Sequence, residues 1–402
     1  MKNERVEFGE NYCITRVEEK CTHCGLCKKT CDSLHDIGSD CIKCGQCILN
    51  CPTGALIPKY DYKEVLNYLN DTDYTCIISI SPATRVSLIK ELKFKSNYTK
   101  KLVGVLKALG FDYVYDVAVG ADLTTIEESM EFIERIKEKN FPLMTSCCPS
   151  WKKFAFSNNL GKYVSSTKSP IKMQGYLVKE YLSKYFPQNK KVINCLLMPC
   201  ISKKEEIKET SDIDYVITTR ELLYMISESQ LEMHLIKDTD FDPLISSASS
   251  SGIIFGTSGG VLESVLRTTY YLLNGKDMPK SEQNKCFDNK KLFEEAEYDF
   301  NKLKIKVARV NTMHEVKKLD LSKYHLIEVM ACPGGCINGG GQPLVNASDQ
   351  LESRLKKAQD LKDIDTNNPL LKYSYKSTEV LDVYKYDVGK PGGKAAHKKL
   401  HN

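Results

Sequence analysis

The sequence predicts an α/β protein in which parallel sheets are flanked by helices and preceded by a small cysteine-rich α+β region. Two observations predict this fold. Beyond residue 73, apolar β-branched segments alternate with amphipathic ones, and the first sixty residues repeat one cysteine spacing. Strands that alternate with helices are typical of parallel sheets covered on both faces. We expect a cysteine-rich domain at 1–60, a linker helix in 61–73, a main domain at 74–385 and a basic tail at 386–402.

The composition indicates a protein whose cysteines bind metal. The chain has 402 residues, of which 42% are hydrophobic and 17 are cysteine. A chain of this size can bury more than one hydrophobic core. The N-terminus is charged, without an apolar signal, and no run of about 18 apolar residues predicts a membrane span. Cysteine-rich chains in a reducing compartment use their thiols on metal rather than disulfides, so we expect a cytoplasmic protein.

The charge distribution argues against nucleic acid as a partner. The net charge of +5 is small, and no basic stripe with interleaved aromatic residues is present. The final segment, GKPGGKAAHKKLHN, is basic and favours a solvated tail. A weakly basic surface also suits an acidic redox partner through electrostatic steering.

The spacing C-x2-C-x2-C-x3-C occurs twice near the N-terminus. Its members are Cys21, Cys24, Cys27 and Cys31, and then Cys41, Cys44, Cys47 and Cys51. This spacing is typical of proteins with two [4Fe–4S] clusters, in which the fourth cysteine of each run serves the other cluster. We therefore predict one cluster on Cys21, Cys24, Cys27 and Cys51, and another on Cys41, Cys44, Cys47 and Cys31.

Two zinc knuckles are the alternative interpretation of these eight cysteines. Zinc sites usually pair C-x2-C units across a longer gap and need only four ligands, so iron–sulfur clusters are favoured. Gly25 and Gly45 occupy equivalent places in the two runs, where a tight turn needs a residue without Cβ. Two clusters without a substrate pocket conduct electrons, so the rest of the chain has to supply the reaction.

The segments after the cysteine repeat predict the helices and strands of the main domain. DYKEVLNYLN (61–70) is amphipathic and predicts the linker helix, whereas YTCIISISP (74–82) predicts a buried strand. The segment KKLVGVLKALGFDYVYDVAVGADLTTIEESMEFIERIKEKN predicts a helix, a strand, a turn and a helix, and DYVITTRELLYMIS predicts a strand followed by a helix. Three further strands, in FPLMTSCC, KKVINCLLMPC and KYHLIEVMACPGGC, end in cysteine. Because sites collect at the carboxyl ends of parallel strands, these cysteines are expected to converge.

This convergence defines a second candidate metal site. Its members are Cys148, Cys200, Cys332 and Cys336. The alternative is that these are ordinary buried thiols, which are common and inert. The glycines at 339–341 lack the lysine and serine of a phosphate loop. The helix in FGTSGGVLESVLR could bind an anion at its N-terminus, but close packing explains its glycines better.

Three segments resemble a known family. TSCCPSW, MPCISKKEE and EVMACPGGCINGGGQP, in this order, are similar to the signature segments of the [FeFe]-hydrogenases. The similarity extends over most of residues 76–402 and includes GADLTTIEE, STKSP, FGTSGGVLESVLR and AHKKLH. With two ferredoxin-like clusters in front, the layout resembles the shorter, two-cluster members. The basic tail resembles the family's small-subunit-like end.

The resemblance implies a fold, a cofactor and a reaction. It implies a two-lobed domain that carries the H-cluster, a [4Fe–4S] cube joined to a two-iron unit with CO, cyanide and a bridging dithiolate amine. The four convergent cysteines would ligate the cube, and Cys336 would bridge to the two-iron unit. The implied reaction is 2H⁺ + 2e⁻ ⇌ H2, catalysed by a monomer that exchanges electrons with ferredoxin or flavodoxin. Dedicated maturation enzymes would have to supply the two-iron unit.

Cys147 would then remain a free thiol beside Cys148. The resemblance implies that it transfers protons between the bridging amine and the protein. Cleavage of H2 needs a Lewis-acid metal with a base beside it. A thiol whose pKa is lowered from about 8.5 by a nearby charge can transfer protons near neutral pH. A second packed cysteine is the alternative.

A proton relay is implied beyond this thiol. Glu128, Glu131 and Arg135 fall on one face of a helix predicted to start near Leu123. The pattern alone favours an ordinary solvated stripe with an i,i+4 ion pair. The resemblance instead implies a buried relay in which Ser165 lies between the two glutamates.

The resemblance also implies a set of residues around the two-iron unit. Lys203 would donate a hydrogen bond to a cyanide ligand, although without the motif it would be an ordinary surface lysine. The implied walls are Pro82, Ala83, Pro170, Met198, Phe255 and Met330. Ser150 and Ile171 depart from the family pattern, in which glycine and glutamine are common.

Two other functions remain open. One is an iron–sulfur assembly protein with the same fold but no two-iron unit. The presence of Cys147, Lys203 and the whole relay argues against it. The other is a hydrogenase that senses H2 with low turnover.

Overall fold

The computed structural model describes residues 13–37, 40–92, 98–244, 248–286, 288, 291–300 and 303–344. The predicted tail at 386–402 and the end of the predicted main domain lie outside these residues, so those boundaries stay predictions. Within the described ranges, no helix is both long enough and apolar enough to cross a membrane.

The N-terminal region is a small α+β unit. Its elements are β1 (Ile14–Arg16), α1 (Leu26–Leu34), α2 (Gln46–Leu49) and β2 (Leu56–Pro58). The two strands pair antiparallel. Ile14, Ile48 and Leu56 form its apolar core, and Ile201 of the main domain packs into the same cluster. The linker helix α3 (Tyr62–Leu69) follows, as DYKEVLNYLN predicts.

The main domain alternates strands and helices. Its first elements are β3 (Tyr74–Ile80), α4 (Pro82–Glu91), α5 (Tyr98–Ala108), β4 (Tyr113–Asp116), α6 (Val117–Glu138), β5 (Leu143–Met144), α7 (Pro149–Ser157), α8 (Pro170–Tyr176), β6 (Lys191–Met198) and α9 (Lys203–Glu206). Its later elements are β7 (Tyr215–Thr218), α10 (Thr219–Glu228), α11 (Ser250–Ile254), α12 (Gly260–Asn274), β8 (Phe293–Asp299), β9 (Lys304–Asn311), α13 (Met313–Val316) and β10 (Leu326–Met330).

Single helical turns complete the described elements. A π-helical turn at Leu177–Leu182 continues α8. Short 3₁₀ turns lie at Glu18–Lys20, Gly161–Tyr163, Ser183–Tyr185, Ile207–Glu209, Lys280–Glu282, Leu321–Lys323 and Cys336–Asn338.

The strands of the main domain form two sheets, and each sheet with its helices is a lobe. The first lobe has the order β4-β3-β6-β7, with every pair parallel. The second has the order β5-β10-β9-β8, parallel except for the edge strand β8, which pairs antiparallel with β9. The predicted fold class is confirmed, because helices flank largely parallel sheets behind an N-terminal iron–sulfur-type unit.

Helix α6 lies between the two lobes. Ala118, Leu123 and Ile126 pack into a core of the first lobe, while Ala121 and Phe132 pack into the core of the second. Burial on both sides is why the first thirteen residues of this helix are buried, charged ones included.

The start of α6 corrects one prediction. The helix begins at Val117, immediately after β4, and not near Leu123. The Asp116 carboxylate accepts a hydrogen bond from the Ala118 backbone N–H at 2.8 Å, which caps the first turn. This cap and the packing between the lobes determine where the helix begins.

The carboxyl ends of four strands meet between the lobes. Strands β3 and β6 end there from the first sheet, and β5 and β10 end there from the second. Strand β5 is only two residues long, so Cys147 and Cys148 lie on a loop after it rather than on its end. The site therefore forms where the two sheets face each other, as expected for parallel sheets.

Candidate functional site

Two pockets of the N-terminal unit are lined by cysteines. One is lined by Cys21, Cys24, Cys27 and Cys51, and the other by Cys31, Cys41, Cys44 and Cys47. Each pocket therefore takes three cysteines from one run and the fourth from the other, which is the grouping that the spacing predicts. Gly25 and Gly45 precede α1 and α2 with φ of 74° and 77°, and this left-handed backbone favours glycine.

The chemistry of these pockets fits clusters better than single ions. No three His, Cys, Asp or Glu side chains of the described residues are close enough together to hold one metal ion. The thiols instead surround a space, as a four-iron cluster requires. Burial opposes ionisation of Cys51, but backbone N–H groups at Leu56, Thr53 and Ala55 outweigh it and lower the pKa of this thiol. Such donors stabilise a thiolate ligand.

The two pockets differ in depth. Cys24 of the first pocket is exposed, whereas Cys44 and Cys47 of the second are buried. Burial is the main cause that raises the pKa of Cys44, and the charge of Cys332, in the main domain, is the next. The second pocket therefore lies between the surface pocket and the main domain.

The four cysteines predicted for the second metal site come together. They are Cys148, Cys200, Cys332 and Cys336, each on a loop after β5, β6 or β10. The pKa of Cys332 is raised well above its usual value, first by burial and then by the other three thiols. Burial likewise raises the pKa of Cys200 to about 12. A positively charged iron–sulfur cube offsets both effects, so the donor set fits the predicted group.

The loop that carries Cys147 and Cys148 is fixed by the helix after it. Cys148 is the N-cap of α7 and Pro149 is its first residue, a position that proline favours. The indole Nε1 of the fully buried Trp151 donates to the Thr145 carbonyl oxygen at 3.0 Å, which closes the loop. This contact explains how the only tryptophan of the chain positions the pair.

A cavity of about 60 Å³ lies beside these four cysteines. Residues from both lobes line it. They include Cys147, Cys336, Lys203, Pro82, Ala83, Pro170, Met198 and Phe255, together with Ile171. Six of the seven residues predicted around the two-iron unit therefore line one cavity. Met330 does not line it, because its side chain is buried among the apolar residues that pack against Phe255 and Cys147.

Cys147 lines this cavity while only 8% of its surface is exposed. Burial raises the pKa of its thiol well above the usual value, and the Glu128 carboxylate raises it further. The expectation that a nearby charge lowers this pKa is wrong for the protein groups around it. A raised pKa favours the protonated thiol, which suits a group that donates and regains a proton.

Glu128 lies behind Cys147 and is wholly buried, so the interpretation of a solvated stripe is wrong for this residue. Its Oε1 accepts hydrogen bonds from the Ser146 backbone N–H at 2.9 Å and the Ser146 hydroxyl at 3.0 Å. Its Oε2 has no hydrogen-bond partner among the described residues. Burial raises the pKa of Glu128 to about 7.

The predicted relay continues from Glu128 toward the surface. The Ser165 hydroxyl donates to Glu131 Oε2 at 2.8 Å, and Arg135 donates to Glu131 Oε1 at 3.1 Å. The side chains of Glu131 and Arg135 are each 12% exposed. The five predicted residues therefore follow one another in space from the cavity to the protein surface. Sequence reasoning missed Ser146, because a serine beside cysteines carries no pattern of its own.

Lys203 is buried against an acidic partner that sequence reasoning also missed. Its Nζ donates to Glu206 Oε2 at 2.6 Å and to the Cys147 carbonyl oxygen at 3.0 Å. Burial alone favours the neutral amine, but Glu206 outweighs it and raises the pKa of Lys203. Ser169 donates to the other oxygen of Glu206. The i,i+3 spacing of lysine and glutamate in KKEE was the available signal.

The N-terminus of α12 binds an anion from the protein itself. The backbone N–H groups of Gly259 and Leu262 donate to the buried Glu328 carboxylate at 2.6 and 2.8 Å. This carboxylate occupies the positive end of the helix dipole. The alternative of an external anion at FGTSGGVLESVLR is therefore unnecessary.

Family models match most of the chain. A model described as the C-terminal domain of the iron only hydrogenase large subunit matches residues 74–340. Models described as a 4Fe-4S binding domain and as the iron hydrogenase small subunit match residues 37–57 and 351–402. The last range lies outside the described residues.

Relatives include both hydrogenases and assembly factors. The NADP-reducing hydrogenase subunit HndD of Solidesulfovibrio fructosivorans is 33% identical, over 96% of this chain and 74% of that protein. Iron hydrogenase 1 of Clostridium pasteurianum is 35% identical, over 87% of this chain but only 64% of that protein. Cytosolic iron-sulfur assembly component 3 of Bos taurus is 30% identical, over 75% of this chain and 71% of that protein.

Solved structures of [FeFe]-hydrogenases are similar to this chain. Apo [FeFe]-hydrogenase HydA1 from Chlamydomonas reinhardtii, in a variant form, superposes with a TM-score of 0.69 at 27% identity. The [FeFe]-hydrogenase HydA(deltaEFG) superposes with a TM-score of 0.70 at 27% identity. Each comparison covers 86% of this chain and 98% of the other.

Proposed function

Because the chain belongs to the iron-only hydrogenase family, we propose that it catalyses 2H⁺ + 2e⁻ ⇌ H2 as a cytoplasmic [FeFe]-hydrogenase. One observation carries this proposal. A single cavity is lined by Cys147, Lys203 and Cys336, and buried carboxylates lead away from its thiol. A protein that only kept the fold would have no need of this arrangement.

The four convergent cysteines would hold the cube of an H-cluster. Its thiolates would come from Cys148, Cys200, Cys332 and Cys336. The position of Cys336 in the cavity wall supports its predicted contact with the two-iron unit. When bound, the H-cluster supplies the Lewis-acid iron at which H2 is formed or cleaved. No side chain provides CO or cyanide, so we expect maturation enzymes as partners.

The protein side of the reaction is proton transfer. Cys147 exchanges protons between the cavity and Glu128, whose Oε2 accepts no hydrogen bond in the described part of the chain. Ser165 connects this carboxylate to Glu131, since it donates to Glu131 and lies close enough to Glu128 to lower the pKa of that group slightly. Arg135 holds Glu131 at the outer end.

Lys203 places a positive charge at the cavity wall. Glu206 keeps the ammonium protonated in spite of burial, and the Cys147 carbonyl oxygen orients it. A fixed cation in a site that excludes water stabilises anionic ligands more strongly than one in solvent. Most of the remaining cavity wall is apolar.

Electrons would travel through the two cysteine pockets. The pocket of Cys24 reaches the surface, and the pocket of Cys44 faces Cys332. This order gives a path from an external protein to the main domain. We propose ferredoxin or flavodoxin as that partner, with the chain acting as a monomer.

Hydrogen evolution tests this proposal. The chain is produced with the maturation enzymes and supplied anaerobically with reduced ferredoxin, and H2 is measured by gas chromatography. We expect sustained turnover, at roughly 1 to 10³ s⁻¹ as for typical enzymes. Negligible turnover of fully loaded protein would favour the sensor.

A second candidate is an iron–sulfur assembly protein. The similarity to assembly factors from Bos taurus and Xenopus tropicalis, at 30% and 31% identity, favours it. Such a role needs no proton path, so Cys147, Glu128 and Lys203 would have no task. Protein that carries four-iron clusters but accepts no two-iron unit from the maturation enzymes would support this candidate.

A further inference from the structure

His35 connects the inner cysteine pocket to the second lobe. Its imidazole is fully buried and lines the pocket of Cys31, Cys41, Cys44 and Cys47. Nε2 lies 3.2 Å from Cys44 Sγ. Nδ1 lies 3.4 Å from the backbone nitrogen of Met313, the first residue of α13. The ring therefore connects a predicted cluster ligand, Cys44, to α13 of the second lobe.

The partners of the ring determine which nitrogen carries the proton. A backbone N–H can only donate, so Nδ1 has to accept from Met313. In a neutral imidazole the proton then sits on Nε2. Nε2–H consequently donates to Cys44 Sγ, and its direction is fixed from the far side of the ring.

The backbone before Met313 adopts a costly conformation at this contact. Thr312 has φ of 74° and ψ of 149° and is buried. A β-branched residue rarely has positive φ, because its side chain then crowds the backbone. Its own N–H donates to the Met330 carbonyl oxygen at 2.8 Å. The strained residue turns the chain so that the next N–H meets His35.

We propose that His35 is a positioning residue that raises the reduction potential of the cluster held by Cys31, Cys41, Cys44 and Cys47. This inference rests on the proposed iron–sulfur function. Reduction adds an electron to the cluster and increases the negative charge on its sulfurs. An N–H···S hydrogen bond strengthens with that charge and so stabilises the reduced state. No atom is transferred, and the electron comes from the partner or from the H-cluster.

The location gives this bond a consequence for electron flow. The inner cluster lies between the surface cluster and the cube, because Cys44 and Cys332 are electrostatic neighbours. A higher reduction potential means that an arriving electron reduces the inner cluster in preference to the surface cluster before it is transferred to the cube. The same hydrogen bond also ties that cluster to the second lobe through Met313.

Potentiometric titration followed by EPR tests the inference without any measurement of H2. The chain is produced without maturation enzymes, and the variants are His35→Leu, His35→Gln and His314→Leu. The step of the inner cluster is identified as the one displaced in Cys41→Ser. Since a hydrogen bond to a charged group contributes about 1 kcal/mol or more, we expect His35→Leu to lower the reduced-to-oxidised ratio of that cluster about fivefold at fixed potential.

The other variants separate tuning from general damage. Glutamine can accept from Met313 and donate to Cys44, so His35→Gln should recover at least half of the shift. His314→Leu changes a neighbouring imidazole without a hydrogen bond to the cluster ligands and should change nothing. The step of the surface cluster should stay constant in all three.

Three results would overturn the inference. They are an unshifted inner cluster in His35→Leu, an equal shift of both clusters, and a full shift in His35→Gln. If His35→Leu loses four irons, the His35→Gln titration decides alone, because retention of the native potential supports the bond and a full shift refutes it. A shift in a protein that makes no H2 would support this inference while the hydrogenase proposal fails.

Discussion

Cys147 is the residue on which proton transfer depends in this account. It lines the cavity and is nearly inaccessible to solvent, and the buried Glu128 lies behind it. Neither residue is predicted to ligate iron. Their replacement should therefore affect turnover and leave the clusters in place.

Cys147→Ala and Cys147→Ser should assemble with unchanged iron content and lose at least 99% of H2 evolution, because general acid–base groups contribute about 10² to 10⁴ in rate. Iron analysis and a gas-chromatographic assay measure the two quantities. Cys195→Ala is the matched control, since that thiol is fully buried in β6 and packs in an apolar cluster of the first lobe rather than in the cavity wall. Normal turnover in Cys147→Ala would show that the thiol is not the proton carrier.

Glu128 should make turnover depend on pH near neutrality. Its pKa is about 7, because burial outweighs the hydrogen bonds from Ser146 and Glu131 adds repulsion. The facing groups are Cys147, whose pKa is raised by burial, and the ion pair of Glu131 with Arg135. Glu128→Gln should lower turnover about 100-fold and remove the ionisation near pH 7 from the pH–rate profile. Glu134→Gln, on the exposed side of α6, should retain it.

The same carboxyl should lower stability as pH rises. An ordinary glutamate ionises near 4.5, whereas folded Glu128 ionises near 7. Between these values the folded chain retains a proton that the unfolded chain has released, so the free energy of unfolding falls as pH rises from about 4.5 to 7. At pH 8, Glu128→Gln should therefore unfold at a temperature roughly 2 °C or more above that of the native protein. At pH 4, the two proteins should unfold at the same temperature. A lower unfolding temperature at pH 8 would contradict this.

Single residues also show where sequence reasoning ends. The cysteines were predictable because ligand spacing is a chemical requirement visible along the chain. Ser146 and Glu206 were not, because each acts through one hydrogen bond formed only after distant segments meet. The helical pattern alone predicts a solvated Glu128, since periodicity cannot show that α6 is covered on both sides.

Among the elements, the loops after the strands carry the site and the junction with the N-terminal unit. The loop at 338–341 packs against the cluster loop that contains Gly45, and Gln46 Nε2 donates to the Asn338 carbonyl oxygen at 2.7 Å. A Cβ on Gly340 would lie 2.6 Å from both the Cys44 carbonyl oxygen and Gly45 Cα. The glycine run that resembled a phosphate loop is thus needed for close approach.

Gly340→Ala should separate these two loops. Overpacking against backbone costs about 1–3 kcal/mol, so we expect a lower unfolding temperature together with slower ferredoxin-driven H2 evolution. Gly54→Ala is the control, because no atom of the described residues lies within 4 Å of its added methyl group and only the cost of its φ of 63° remains. Equal effects of the two changes on H2 evolution would argue against the junction as the electron path.

Strands and helices were predicted well where their period is strong. YTCIISISP forms the expected strand. DYVITTRELLYMIS forms the expected strand followed by a helix. FPLMTSCC failed as a full strand because β5 pairs only with β10, for two residues, before Trp151 turns the loop. Tertiary contacts decide such short elements.

The whole molecule places two sheets so that the carboxyl ends of their strands face a common cavity. Neither sheet alone contributes all of the predicted ligands. Cys200 follows β6 of the first sheet, whereas Cys148 and Cys332 follow β5 and β10 of the second. Alternating strands and helices predicted parallel sheets, but their division into two lobes came from the resemblance, since periodicity carries no information on strand order.

The iron content and infrared spectrum of anaerobically matured protein test the central claim most directly. We predict about 14 iron atoms per chain, as three four-iron clusters and one two-iron unit require, together with infrared bands of bound CO and cyanide. Protein from cells without maturation enzymes should hold about 12 irons and show no such bands. Matured protein that also lacks these bands would contradict the account, because the cavity beside Cys147 would then not receive the two-iron unit.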